Sequence, residues 1–178
     1  MTAHSFWQYL NRYKATISYM AVILILNKLF VIVPLFYIAG ELLSPLDFVV
    51  GIIFVFRDFA QREIGHRVIV PMIAAGLLSY VLADATVAFA SMGAFFASEF
   101  IDWGIFTYTR KPLSQRLFLS AAFSSPVDSF IFLYLLGQLN WLALTIMTVT
   151  KIMGVILVLM LWRRTQPRDA VAIAASAR

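Results

Sequence analysis

Five ionisable residues lie inside stretches of the chain that are otherwise apolar. Lys28 and Lys151 are near the middle of two such stretches, and Glu99, Asp102 and Asp128 occur in two others. Placing an Asp, Lys or Arg at the centre of a membrane helix costs about 2.5–3.5 kcal/mol, which is large beside a total protein stability of about 5–15 kcal/mol. We therefore expect all five side chains to face the interior of a helix bundle.

The spacing of the three acids favours a polar site at mid-depth. Glu99 and Asp102 are three residues apart and share one face of a helix. Pro126 lies between Ser125 and Asp128, where it removes a backbone donor and predicts a kink. Discontinuous helices of this kind form substrate sites in transporters. The pattern predicts a ligand cavity, although Lys28 and Lys151 pairing with two of the three acids would also serve as a purely structural lock.

The tryptophans divide by position. Trp141 and Trp162 lie at the two ends of one apolar stretch, where membrane-interface anchors are found. Trp103 instead follows Asp102 inside a stretch, so its ring could stack on a planar ligand.

The composition excludes several classes of protein. Of 178 residues, 62% are hydrophobic and 13% are charged. A soluble domain has about 45–50% hydrophobic and about 25% charged residues. The mean hydropathy of this chain is +0.87. An ordinary cytosolic enzyme, a disordered tail and a disulfide-stapled domain do not fit these values. With no Cys and two His we expect no metal site, and without a phosphate-binding loop we expect no ATP hydrolysis by that route. Both His lie outside the predicted spans, where they would not serve a serine nucleophile as a base, and we expect neither a cofactor nor an enzymatic activity.

Six apolar stretches predict an all-α integral membrane protein with a single transmembrane domain over 1–178. An aromatic and basic arm over 1–15 is typical of an interfacial helix, and residues 165–178 predict a flexible tail. The predicted spans cover 16–38, 46–60, 68–83, 86–108, 117–136 and 140–162.

The Lys and Arg residues near the ends of the spans alternate between the two sides of the bundle. Two lie in the arm, three lie at the end of span 2 and between spans 2 and 3 (Arg57, Arg62 and Arg67), three lie between spans 4 and 5 and four lie in the tail, and the other connections have none. This distribution predicts that both termini are cytoplasmic. Because topology and lipid headgroups account for the net charge of +5, we expect no nucleic-acid partner. Small residues at Ala90, Ala94 and Ser98 predict close helix packing, within one subunit or in a homo-oligomer.

Five polar motifs occur in one order along the chain. They are Asn27-Lys28, the segment RDFAQREIG from Arg57 to Gly65, SEFID from Ser98 to Asp102, SSPVDS from Ser124 to Ser129, and Lys151. Together they resemble the vitamin-uptake-transporter-like family, bacterial proteins associated with the uptake of queuosine precursors, and the resemblance covers roughly residues 20–160.

The resemblance implies a six-helix transporter of the cell inner membrane for a 7-deazapurine base such as 7-cyano-7-deazaguanine. Such a base is flat and offers N–H donors to carboxylates and a ring face to aromatic side chains. We expect Arg57, Asp58 and Glu63 to lie at the cytoplasmic edge as a gate or structural motif. The candidate substrate contacts are Asn27, Lys28, Glu99, Asp102, Trp103, Ser125, Asp128 and Lys151.

Two alternatives stay open at this point. The chain could be the substrate-binding subunit of a vitamin importer energised by a separate ATPase. Span 1 lacks the A-x-x-x-A docking pattern that such subunits often show, since Ala15 is followed four residues later by Tyr19 and Ala21 by Ile25. We therefore favour a solitary carrier over an ATPase-linked subunit, and a non-transporting structural membrane protein is the other alternative.

Overall fold

The computed structural model describes residues 12–33, 36–38, 41–82 and 85–165. The predicted arm over 1–15 and the tail over 165–178 lie almost entirely outside these residues. A two-stranded antiparallel hairpin follows the first helix, with β1 at Phe36–Ile38 and β2 at Glu41–Leu43. The helices are α1 (Lys14–Ile32), α2 (Asp47–Ile64), α3 (Ile69–Leu82), α4 (Ala85–Tyr108), α5 (Leu113–Leu135) and α6 (Trp141–Thr165), with a 3₁₀ turn at Gly65–Val68 between α2 and α3.

Contacts of α1 show that α2 and α3 run in opposite directions. The first turn of α1, at Thr16, is bonded to Glu63 at the end of α2, so α1 and α2 are antiparallel. Further along α1, Asn27 donates to Ser79 in the second half of α3, so α1 and α3 run the same way. The chain reverses at Gly65, whose φ of 63° is easily adopted only by glycine.

The remaining helices continue this alternation. Along α4 and α5, Phe106 lies beside Arg116 and Ser98 beside Asp128, which is an antiparallel register. The rings of Phe59 on α2 and Trp162 on α6 are 5.7 Å apart near the ends of both helices. Phe48 in the first turn of α2 lies against Gly154, which precedes Trp162 on α6, so α2 and α6 run in the same direction. The helices close into a ring in the order α1, α2, α6, α5, α4, α3, and α2 also touches α4 and α5.

Alternation gathers the basic connections at one end of the bundle, which we call the basic end. Here α1, α3 and α5 begin and α2, α4 and α6 end. At the opposite end, which we call the hairpin end, the described connections contain no Lys or Arg. The residues at the basic end are Arg12, Lys14, Arg62, Arg67, Arg110, Lys111, Arg116, Arg163 and Arg164.

Three segments of the described chain are long and apolar enough to cross a membrane. They are Asp47–Val81, Leu113–Leu135 and Trp141–Thr165. The first contains α2, the 3₁₀ turn and α3. The helical fold and these segments are those of a membrane protein, and a total of six crossings stays a prediction.

Two predicted boundaries are wrong in ways that matter for the site. Span 1 was expected to reach residue 38, but α1 ends at Ile32 and Phe36–Ile38 pairs in the hairpin. Span 2 was expected to end near residue 60, but α2 continues to Ile64. Arg57 therefore lies about 10 Å inside α2, at 1.5 Å per residue.

Two glycines bring the backbones of α2 and α6 into direct contact. A Cβ at Gly51 would collide with the backbone carbonyl of Lys151, and a Cβ at Gly154 would collide with that of Phe48. This close approach fixes the backbone of Lys151 against α2.

Replacing Gly51 with alanine is expected to destabilise the bundle by about 1–3 kcal/mol, because the added methyl meets backbone that cannot rotate away. The matched control is Gly104→Ala in α4, where a Cβ meets nothing within 4 Å. Thermal unfolding of the purified variants in detergent measures both. Equal melting temperatures for the two variants would contradict the close contact of α2 and α6.

Candidate functional site

Arg57 is completely buried and is surrounded by three carboxylates. Its Nη1 atom is 2.7 Å from Asp58 Oδ1 and 3.1 Å from Asp102 Oδ2, and its Nε atom is 3.3 Å from Glu99 Oε2. Its Nη2 atom donates to the backbone carbonyl of Glu99 at 2.8 Å. The two terminal nitrogens of the guanidinium make the hydrogen bonds, while the contact of Nε with Glu99 is an ion pair in which Nε has no hydrogen-bond partner.

Two neutral side chains extend this group to α1 and α5. The hydroxyl of Ser120 donates to Asp58 Oδ2 at 2.7 Å, and the hydroxyl of Tyr19 donates to Glu99 Oε2 at 3.1 Å. We call the six residues Tyr19, Arg57, Asp58, Glu99, Asp102 and Ser120 the arginine cluster; all six are fully buried. The cluster joins four helices of the bundle at one level.

A second cluster forms around Lys151 on α6. Its ammonium group donates to Asp128 Oδ2 at 2.7 Å and to Ser129 Oγ at 2.9 Å, and it lies 4.0 Å from Asp47 Oδ1. The hydroxyl of Ser98 donates to the other oxygen of Asp128 at 3.0 Å. We call Asp47, Ser98, Asp128, Ser129 and Lys151 the lysine cluster, in which both oxygens of Asp128 are already engaged.

The two clusters are adjacent along α4, because Ser98 of the lysine cluster precedes Glu99 of the arginine cluster. Together they hold five carboxylic side chains but only two cations, Arg57 and Lys151. The five acids are Asp47, Asp58, Glu99, Asp102 and Asp128. An excess of buried negative charge is costly unless protons or a ligand offset it.

Several buried polar atoms of this interior have no hydrogen-bond partner. They include the acceptors Glu99 Oε1 and Asp102 Oδ1, the donor Trp103 Nε1 and the hydroxyls of Ser125 and Thr148. Such atoms are uncommon in folded proteins, where buried polar groups are nearly always paired. They mark positions at which a bound molecule with matching donors and acceptors would gain hydrogen bonds.

A pocket of about 470 Å³ opens at the basic end, one helical turn beyond Arg57. The buried Gln61 donates from Nε2 to Thr107 Oγ1 at 2.7 Å, and its Oε1 atom has no partner. Above the ring of Phe106 lies the guanidinium of Arg116, 4.0 Å from the ring centroid. The lining residues are Gln61, Arg62, Gly65, His66, Phe106, Thr107, Leu113 and Arg116.

The structure brings most of the predicted substrate contacts into the interior. Glu99, Asp102, Asp128 and Lys151 are buried in the two clusters, as expected from the cost of charge in a membrane, and Ser125 is buried beside them on α5. Trp103 is half-buried, with its ring edge-on to His66 at 5.7 Å.

Asn27 lies apart from both clusters, between α1 and α3. Its amide donates to Ser79 Oγ at 2.7 Å and to the carbonyl of Ile23 at 2.8 Å. The side chain therefore holds two helices together, with its donor group already engaged.

The expectation that Lys28 faces the interior is wrong. Its side chain is exposed, because the neighbouring Asn27 faces α3 and successive helical residues point about 100° apart. Since α1 ends at Ile32, Lys28 lies only about 6 Å from the end of the helix. A lysine at that depth can extend its ammonium group to the membrane interface, which removes the cost that the prediction assumed.

The expectation that Arg57 and Asp58 lie at the cytoplasmic edge is also wrong, because both are fully enclosed in the arginine cluster. Counting every arginine near a span as a connection residue misplaced Arg57. Glu63 does lie at the basic end, where its carboxylate accepts from the backbone N–H groups of Ala15 and Thr16 at 3.1 and 2.9 Å. It thus caps the first turn of α1, and its predicted role as a gate stays a prediction.

Sequence reasoning missed Asp47, Tyr19 and Gln61 as interior polar residues. Asp47 is the second residue of the predicted span 2, and Tyr19 is one of many aromatic residues in the apolar stretches, so neither is singled out by composition. The spacing of Asp47, Asp58 and Gln61 could have indicated one polar face of α2, since the positions 47, 51, 54, 58 and 61 recur every three or four residues.

Comparison with protein-family models, curated proteins and solved structures finds no match. Among the residues that the structure describes, no group of three or more His, Cys, Asp or Glu side chains is arranged to hold a metal ion.

Arg57→Met is expected to destabilise the protein by about 3–5 kcal/mol, because it leaves three buried carboxylates without their cation. Arg62→Met, an exposed residue on the same helix, is the matched control and should change stability little. Thermal unfolding in detergent measures the difference. An Arg57→Met protein as stable as the control would show that the arginine cluster does not hold the bundle together.

Proposed function

We propose that this chain is a transporter of the cell inner membrane that imports a 7-deazapurine queuosine precursor, such as 7-cyano-7-deazaguanine. In this proposal all six helices cross the membrane and both termini are cytoplasmic. The alternating helix directions support it, as does the gathering of basic connections at one end of the bundle.

The observation that carries the proposal is the set of unpartnered polar atoms in the arginine cluster and beside it. Glu99 Oε1 and Asp102 Oδ1 are three residues apart on α4 and lack donors, and Trp103 Nε1 lacks an acceptor. A deazaguanine carries an N–H and an exocyclic amine on one edge and a ring carbonyl next to them. That edge supplies the two kinds of hydrogen bond that these atoms lack.

The two clusters differ in what they can offer a ligand. Asp128 is bonded to Lys151 and to Ser98 through its two oxygens, so a base gains little there. We therefore place the base against Glu99, Asp102 and Trp103. The pocket beside Gln61 lies one turn further towards the basic end, and we propose it as the route by which the base leaves this site for the cytoplasm.

The indole ring of Trp103 adds a stacking surface. It packs against the apolar residues of α1 and α2 and contacts His66, which lines the pocket. A ring at the junction of the pocket and the acids suits a flat heterocycle whose edge points at the carboxylates.

Uptake of labelled 7-cyano-7-deazaguanine, by cells that cannot synthesise it, tests the proposal. We expect Glu99→Gln and Asp102→Asn to lower uptake at least about tenfold, since a hydrogen bond to a charged group contributes about 1.5–3 kcal/mol. Trp103→Phe should also lower uptake, whereas Trp141→Phe, whose side chain is 76% exposed, should not.

Membrane levels of each variant are measured alongside. Wild-type uptake by Glu99→Gln and Asp102→Asn at equal expression would refute the site. Uptake that requires co-expression of a separate ATPase module would favour the alternative of an ATPase-energised binding subunit.

A further inference from the structure

The ammonium group of Lys151 lies between two carboxylates that belong to different helices. Asp128 on α5 is 2.7 Å away and Asp47 on α2 is 4.0 Å away. All three side chains are buried or nearly so. Because a buried ammonium strongly prefers an ionised partner, its position depends on which of the two acids carries a proton.

The backbone around Lys151 links this choice to helix packing. Gly51 and Gly154 bring α2 and α6 into contact at the level of Lys151, while Asp128 holds the same ammonium from α5. A shift of Lys151 from Asp128 towards Asp47 therefore transfers an ion pair from the α5–α6 interface to the α2–α6 interface. A side chain that can occupy either of two positions in this way can couple the binding of a ligand or ion to a change in helix packing.

The ionisable groups that face this lysine come from three helices. Asp47 is on α2, Asp128 is on α5, and Glu99 on α4 is connected through its neighbour Ser98, which bonds to Asp128. Asp47 begins α2 at the hairpin end, and the arginine cluster and Gln61 follow towards the basic end. The buried polar groups of α2 thus lie near its two ends, with apolar residues between them, and the two clusters are connected through Ser98 on α4.

The charge of the interior indicates which ion moves. Five acids face two cations in the clusters, and an uncharged base brings no compensating cation with it. The unpartnered oxygens of Glu99 and Asp102 add two acceptors that are already desolvated. Protons are the smallest cations that can offset such charge, and chains of buried acids serve as proton relays in membrane proteins.

We propose that transport by this chain is coupled to protons, with Lys151 alternating between Asp128 and Asp47. A proton that enters from the hairpin end binds the carboxylate of Asp47, and Lys151 stays with the ionised Asp128. Transfer of that proton from Asp47 to Asp128 moves the ammonium group to the ionised Asp47. Loss of the proton from Asp128 towards the basic end, as the base is released, returns Lys151 to Asp128. Lys151 keeps its own protons throughout. This inference rests on the proposed function and adds its energy source.

The experiment uses the full-length protein reconstituted in liposomes, with the membrane voltage clamped and a pH-sensitive dye inside. Labelled 7-cyano-7-deazaguanine is the probe. With one proton per base, an outside pH one unit lower should drive about tenfold accumulation, acidify the lumen and be abolished by a protonophore. Exchange of labelled for unlabelled base at equal pH should proceed without a gradient.

The Asp47→Asn variant separates exchange of the base from its gradient-driven accumulation, because it removes the second partner of Lys151 and leaves the ion pair of Lys151 with Asp128 intact. We expect it to exchange base at the wild-type rate and to lose gradient-driven accumulation, and Asp47→Glu to retain both. Asp128→Asn alone would leave Lys151 without its close partner and would not be informative if it fails to fold. The double variant Asp128→Asn/Lys151→Met leaves no unpaired lysine, and we expect it also to lose gradient-driven accumulation.

Wild-type protein that exchanges base but neither accumulates it under a pH gradient nor acidifies the lumen would overturn the proton coupling alone. Full accumulation by Asp47→Asn would overturn the role of the lysine pair. Absence of any exchange by wild-type protein would overturn the proposed function, and this inference with it.

Discussion

Burial of the Arg57 guanidinium is the constraint on which the rest of the bundle depends. A cation enclosed in an apolar bundle must find acceptors, and Arg57 finds them in Asp58 on its own helix and in Glu99 and Asp102 on α4. Removing one partner from a buried pair costs about 3–5 kcal/mol, because the other charge stays desolvated. This cost holds α2 and α4 in register, and Tyr19 and Ser120 extend the same constraint to α1 and α5.

The same burial leaves the interior with more acids than it can pair. Arg57 and Lys151 engage some of the carboxylate oxygens, while Glu99 Oε1 and Asp102 Oδ1 stay unpartnered. A purely structural lock would be expected to satisfy its own polar atoms, since buried groups left without hydrogen bonds cost stability. The arginine cluster has oxygen atoms without hydrogen-bond partners, which is why we propose a ligand site around Glu99 and Asp102. In the lysine cluster both oxygens of Asp128 are hydrogen-bonded, which is why we propose that Asp128 and Lys151 act as a coupling pair instead.

The cost of charge in an apolar stretch correctly predicted from sequence that Glu99, Asp102, Asp128 and Lys151 face the interior. It failed for Lys28, because that cost depends on depth, and the depth of Lys28 depends on α1 ending at Ile32. The run of apolar residues continues past that point into the hairpin, so hydropathy contains no signal for the end of the helix.

Arg57 illustrates a second limit on what the sequence can predict. Counting arginines by connection assumes that each one is solvated, and only the packing of α2 against α4 shows that this one is enclosed. The ion pairs between helices join residues that are 23 to 104 positions apart, and a single sequence does not specify which helices are neighbours. The helices themselves are predictable from the length of their apolar stretches, to within a few residues for α3 and α4.

The central claim is that the carboxylates of the arginine cluster bind the donor edge of a deazaguanine. Thermal unfolding of the purified wild-type protein with a panel of bases tests it most directly, because a ligand at about a hundred times its Kd stabilises the native state by about 2.7 kcal/mol. We predict a raised Tm with 7-cyano-7-deazaguanine and an unchanged Tm with adenine, whose six-membered ring carries an amine but no N–H beside it. An unchanged Tm with the deazaguanine, or an equal rise with adenine, would contradict the account.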